Sequence, residues 1–190
     1  MKKQLQRLAA AAALSFASLA SLSAQAASVV VDVSGAQSVN LLGEAGNTVW
    51  LVDIGAGTLL NSLSWAVTLN ALDPSRLSEL QLSFGGSNGL DLVTLAPGEA
   101  DFSSGTGSYA GTTDLAPLGL AVGSDGLLRI EFSEGFKDFA TGTVEGQWVG
   151  GNLSFGVTAV PEPASVALML LGLGLVGAQL RRRAASSGQR

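Results

Sequence analysis

The sequence predicts an all-β protein: an antiparallel β-sandwich, jelly-roll-like, forming an exported ectodomain between a cleaved signal peptide and one C-terminal transmembrane helix. Three observations lead there. About eight short runs rich in β-branched and aromatic residues recur between Ser28 and Val157, separated by clusters of Gly, Ser, Asp and Pro. Several of these runs alternate large apolar with small or polar residues, the period of a strand with one buried face. The ends differ sharply from the middle: both are apolar and basic, whereas Ser28 to Ala159 holds only Arg76, Arg129 and Lys137 against 14 acidic residues, a net charge of −11.

The N-terminal segment opens with Met1-Lys2-Lys3-Gln4-Leu5-Gln6-Arg7, a basic start. An Ala- and Leu-rich run follows to Leu22, and Ser23-Ala24-Gln25-Ala26-Ala27 supplies the small residues that a signal peptidase requires. Ala24 and Ala26 satisfy the A-x-A rule, so residues 1–26 are expected to be a cleaved leader; cleavage after Ala27 is nearly as favourable. Residues 27–159 are then the exported domain, of a size that sustains one core. The chain has no cysteine, so this domain holds together outside the cell without disulfides. Its acidity repels phosphate backbones, which sets nucleic acid aside as a partner.

Within the domain, Ser28-Val29-Val30-Val31-Asp32-Val33 reads as a first strand ended by Ser34-Gly35, and Thr48 to Ile54 as the next, broken by Gly55-Ala56-Gly57. The clearest alternation is Ser62 to Asn70, where Leu63, Trp65, Val67 and Leu69 share one face. Trp65 is therefore expected in the core. Asp73-Pro74-Ser75 turns the chain, and only Ser75 to Leu80 suits a helical turn. Leu80 to Phe84 alternates again before the loop Gly85-Gly86-Ser87-Asn88-Gly89, and Leu90 to Leu95 follows. Ala100 to Asp114, nearly all Gly, Ser, Thr and Asp, reads as a long exposed loop. Leu118 to Val122 is a short strand candidate, Ser124-Asp125-Gly126 a hairpin-type turn, and Leu128 to Phe132 a clean alternation. Gln147-Trp148-Val149, a turn at Gly150-Gly151-Asn152 and Leu153 to Val157 close the domain.

Enzyme motifs fail on context. Gly85-Gly86-Ser87-Asn88-Gly89 matches G-x-S-x-G, but a nucleophile elbow needs a following helix and a histidine base, and the chain has no histidine. Gly105-Thr106-Gly107-Ser108-Tyr109-Ala110 fits a loose dinucleotide fingerprint without the strand before or the helix after it. Zinc lacks its usual ligands, and no carboxylate pair stands out for glycoside hydrolysis. No catalytic residue and no resident cofactor are expected. Calcium stays open: Asp91, Asp101, Asp114, Asp125, Glu131, Glu134 and Asp138 lie in or beside expected loops, Asp125 and Asp138 being the speculative ligands, yet no D-x-D-x-D-G loop is present. Solvated loop acids are the simpler account.

At the C-terminus three parts follow in strict order over residues 160–183. Pro161-Glu162-Pro163 is a rigid extended tripeptide, since residues before proline are steered away from helix. Ala164 to Leu180 then carries no charge, and Val166 to Val176 has no polar face, which suits a short membrane span better than a buried helix. Arg181, Arg182 and Arg183 end it and are expected to stay on the cytoplasmic side of the inner membrane, with residues 184–190 as a cytoplasmic tail.

Val160-Pro161-Glu162-Pro163-Ala164, the hydrophobic segment and the arginine cluster together resemble the PEP-CTERM sorting signal. The resemblance covers these residues and a compatible leader; Ala184 to Arg190 extend beyond its usual end. It implies that a membrane-embedded transpeptidase, the exosortase, recognises and removes the segment. The protein then passes to the cell surface or the exopolysaccharide (biofilm) matrix of a Gram-negative bacterium. A second resemblance links Leu127 to Asp138 and Gly146 to Gly151 with the late strands of pre-peptidase or P-domain-like jelly rolls, which accompany secreted proteases and often hold structural calcium. The expected function is a non-enzymatic envelope or matrix protein. The alternative is an extracellular jelly-roll module binding carbohydrate or calcium. Signal peptidase, an exosortase and extracellular polysaccharide are the expected partners.

Overall fold

The computed structural model describes residues 26–159 and 163–186. Nine strands make up the first of these segments: β1 (Ala26–Asp32), β2 (Ala36–Ser38), β3 (Thr48–Asp53), β4 (Leu59–Ala71), β5 (Leu80–Gly86), β6 (Leu92–Leu95), β7 (Gly105–Asp114), β8 (Leu127–Glu134) and β9 (Gly146–Thr158). They form two antiparallel sheets. One has the order β1-β9-β4-β7, with β2 also beside β9; the other has the order β3-β8-β5-β6. The partners nest: β5 with β6, β4 with β7, β3 with β8, and β1 and β2 with β9. The sandwich-like, mostly β architecture is the one the alternation predicts.

The inward positions of both sheets meet in a single core. Leu63, Val67 and Leu69 of β4 and Leu153 and Phe155 of β9 face Leu82 and Phe84 of β5 and Leu128, Ile130 and Phe132 of β8. Edge-on aromatic pairs tie the sheets together: Phe84 meets Phe155 at 5.2 Å and Phe132 meets Trp148 at 5.0 Å, while Trp50 packs on Phe132 at 4.8 Å within the second sheet. Trp148 is wholly buried, whereas Trp65 is only half-buried against the core's rim. Its place explains this, because Trp65 lies beside β7, an edge strand, with no further strand to cover it.

β7 corrects the expectation of a loop over Ala100 to Asp114. Gly105 to Asp114 pairs residue for residue with Ser62 to Ala71, and half-buried and exposed positions alternate along it. Its inward positions are small because its neighbours' rings fill the space. A Cβ on Gly111 would strike the Trp65 ring, and one on Gly107 the Tyr109 ring. Tyr109 in turn donates its hydroxyl to Asp101 at 2.7 Å, pinning the preceding loop. Burial and that carboxylate push the tyrosine up to about 12.

The expected turn at Gly150-Gly151-Asn152 is also corrected, since β9 runs unbroken through it. Thr68 pairs with Gly150 but Leu69 with Trp148, so Val149 is an extra, bulged residue. On the other side Val33 N donates to Gly151 O (3.0 Å) and Gly35 N to Trp148 O (2.9 Å); the break expected at Ser34-Gly35 here separates β1 from β2, a short strand outside the expected runs. Leu118 to Val122 is no strand: a 3₁₀ turn occupies Ala116–Leu118, and Ala121 makes one isolated bridge to Leu59. The expected helical turn is present as Leu77–Glu79.

The second described segment is a single helix, α1 (Pro163–Ser186), of 24 residues. It starts at the proline, whose missing amide costs nothing in a first turn. It continues past Leu180 through the arginines, because Arg and Ala are good helix formers and no Gly or Pro stops it there.

Candidate functional site

Of the sorting-segment residues, Pro161 and Glu162 lie outside the described residues, as do 1–25, Ala24 among them, and 187–190. Pro163 opens α1, and Arg181, Arg182 and Arg183 fall on its last turns, the Arg181 side chain exposed. Between them Leu170, Leu171, Leu175, Val176 and Leu180 are each more than half exposed, a set that goes round the helix rather than along one stripe. Among the described residues no helix is long and apolar enough to cross a membrane; side chains of α1 are described for 169–181 only. At the other end Ala26 is the first residue of β1, paired with Thr158, so cleavage after Ala26 removes one residue from a strand that Ala27 to Asp32 still complete.

The two speculative calcium ligands are placed in different loops. Asp125 borders a cleft lined by Ser87, Asn88 and Asp91. There Ser87 Oγ donates to its Oδ2 at 2.5 Å and Leu127 N to its Oδ1 at 3.2 Å. These bonds, the serine's first, hold its carboxyl below the usual carboxylate range. Asp138 is exposed and donates its backbone amide to Glu145. Among the described residues no three carboxylates gather closely enough to hold a metal ion. Ser87, the G-x-S-x-G serine, sits in the β5–β6 connection with strand, not helix, after it.

Two acids that the sequence places beside loops are instead buried in β8. Glu131 accepts from Gly43 N and Asn47 Nδ2, both at 2.8 Å, and pairs with Arg129 at 2.6 Å. Glu134 is 1% exposed, and neither of its oxygens has a hydrogen-bond partner among the described residues. Burial foremost, then the charges of Glu145, Glu79 and Asp138, push it up to about 8, with Lys137 opposing. Glu145 itself is satisfied: Lys137 Nζ lies 2.5 Å from Oε1, Phe139 N donates to the same oxygen at 3.2 Å, and Asp138 N to Oε2 at 2.9 Å. The one signal available in sequence was that Glu134 falls on the apolar face of Leu128, Ile130 and Phe132; Glu131, at a polar position of the same alternation, gave none.

Residues 159–183 match the family model of the PEP-CTERM protein-sorting motif. The chain thus carries that motif where the resemblance put it. The motif implies an exported protein, membrane-anchored until an exosortase processes it. No curated protein matches the chain. Among solved structures, the serine protease of Aeromonas sobria in complex with its chaperone ORF2 is similar at 12% identity and a TM-score of 0.43, over 78% of this chain and 30% of that one. The chain therefore spans less than a third of that protease. VP2 of infectious bursal disease virus is similar at 10% identity and a TM-score of 0.37, over 70% and 33%. The tomato aspermy virus structure is similar at 12% and 0.30, over 85% and 97%. At these scores the likeness carries no functional argument.

Proposed function

We propose that this chain is a non-enzymatic protein of the bacterial envelope or extracellular matrix, associated with exopolysaccharide and delivered there by its PEP-CTERM signal. The observation that carries the reading is the motif at residues 159–183. In this account signal peptidase removes residues 1–26, and residues 27–159 fold outside. Residues 164–180 span the inner membrane, with Arg181 to Arg183 on the cytoplasmic side. The charge-free run and its uncovered leucines support the span, because a helix apolar on every side needs an apolar surrounding. A non-enzymatic role is supported by the lack of histidine and cysteine and by the hairpin setting of Ser87. The nested strand pairs support reading the domain as a jelly roll.

Glu162 is the specificity handle in this reading. It is the one charge between Glu145 and Arg181, and proline on either side disfavours helix in such a sequence. Glu162→Gln, or Pro163→Ala, is expected to leave membrane insertion intact and to stop removal of the tail. Apparent mass and partition between membrane and medium, in a host with the matching exosortase, check this. Normal shortening and release of both variants would leave only a plain membrane anchor.

A further inference from the structure

We propose that the end of the sandwich carrying the β5–β6 and β7–β8 connections rests on the surface of a zwitterionic bilayer, with Leu90 and Leu118 inserted among its lipids. The inference rests on the inner-membrane span proposed above and gives the exported domain a second contact with the same membrane. Topology puts both residues at the end where the chain leaves the domain. β9 ends at Thr158, beside Leu59 at the start of β4. Ala121 bridges to Leu59, and Leu60 N donates to Leu120 O at 2.9 Å. Ser87 of the β5–β6 connection bonds Asp125 of the β7–β8 connection, and Asp91 and Leu118 line one cleft of about 500 Å³. From Thr158 to Pro163 the chain advances five residues at no more than about 3.6 Å each, so Thr158 stays within about 18 Å of the start of α1.

The surface at this end is apolar without being covered. Leu115 to Gly123 is the longest stretch between Ser28 and Ala159 that has no polar side chain. Within it Ala116, Pro117, Leu118 and Gly119 are exposed one after another. Leu118 is 56% exposed, and Leu90, at 81%, is more exposed than any other large hydrophobic residue among those described. A run of exposed apolar residues is a fault in a water-facing loop unless something covers it. The lipid surface is the one apolar medium that the chain itself brings within reach.

The same loops select the lipid. Residues 54–58, 87–91 and 115–126, the three connections at this end, hold no Lys or Arg, while Asp91 and Asp125 stand exposed in them. Anionic lipid would meet like charge there, whereas the ammonium of a zwitterionic headgroup meets carboxylates it can pair with. The aromatic, Met and Arg anchors on which a protein interface draws are absent from these three connections. Aliphatic insertion into lipid is what their residues offer.

The chain has no cysteine, so a single introduced one can carry a polarity-sensitive fluorophore. The chain without its leader, Ala27 to Arg190, is reconstituted in phosphatidylethanolamine–phosphatidylcholine vesicles containing nitroxide-labelled lipid. The fluorophore is placed at Leu90→Cys, Leu118→Cys, Phe102→Cys or Phe136→Cys. Phe102 and Phe136 are 68% and 60% exposed, but they lie in the β6–β7 and β8–β9 connections at the opposite end. Emission from positions 90 and 118 is expected to shift to the blue and to be quenched by the nitroxide, and emission from 102 and 136 to do neither. Leu118→Glu, with unchanged circular dichroism, is expected to weaken the quenching at 90, as are vesicles rich in phosphatidylglycerol. Equal quenching at all four sites overturns the proposal, as does stronger quenching in phosphatidylglycerol. A dimer seen by gel filtration in detergent and broken by Leu118→Glu also overturns it, making this end an interface between copies. Resistance to alkaline carbonate scores the span separately. A resistant chain with no quenching at 90 and 118 sinks this inference alone, whereas a chain washed off the vesicles sinks the span and this inference with it.

Discussion

Glu134 is the residue whose environment departs most from its chemistry. A carboxyl that is buried without a donor is tolerable only while it keeps its proton. Its folded value of about 8 stands above the ordinary 4.5, so the folded protein holds a proton that the unfolded chain has already released. The contribution to stability is therefore complete below about 4.5 and is lost as pH rises through about 8. Melting temperature is expected to fall between about pH 5 and about pH 9, with Glu145, Glu79, Asp138 and Lys137 as the neighbouring charges. Glu134→Gln removes the ionisation and is expected to melt higher than the parent at the alkaline end, by on the order of 5 °C. A parallel pH profile in parent and variant would assign the slope to other groups.

At the scale of elements, the bulge in β9 decides how the first sheet closes. Val149 is looped out at 53% exposure, and Gly151 beside it adopts a φ of +110°. A Cβ there would collide with the Ala66 carbonyl oxygen of β4, so strain and clash act together. Gly151→Ala is expected to cost about 2 kcal/mol or more of stability, read as a lower midpoint in chemical denaturation. Gly150→Ala serves as the control, because its added Cβ meets only Ser34 Oγ at an ordinary 3.6 Å. Equal losses at both positions would show that the bulge geometry is not what the glycine protects.

For the whole molecule the consequence is topology. The proposed span divides the chain into an acidic domain outside and an arginine cluster within. A reporter fused after Arg190 is expected to be active only in the cytoplasm, and one fused at Ala159 only outside the inner membrane. Activity of the Arg190 fusion outside would end the single-span model.

The sequence by itself determined what depends on local order. Leu63, Val67, Leu69, Phe132 and Phe155 announced their burial through period-two alternation, which a strand converts directly into one buried face. The motif at 159–183 was equally legible, because its meaning lies in the order of its parts and needs no tertiary partner. Tertiary structure decided the rest. Gly105 to Asp114 has no apolar stripe of its own, and as a strand it relies on pairing with β4, with the Trp65 ring of β4 over Gly111 and the Tyr109 ring of β7 itself over Gly107. Gly150 and Gly151 look like a turn in isolation; opposite Thr68 and Val67 they are paired residues of one continuous strand, next to the bulge at Val149. Glu131 and Glu134 read as solvated acids until the Val39 to Asn47 loop and Glu145 close around β8. In each case the local residues permit two conformations of similar energy, and contacts from far along the chain select between them.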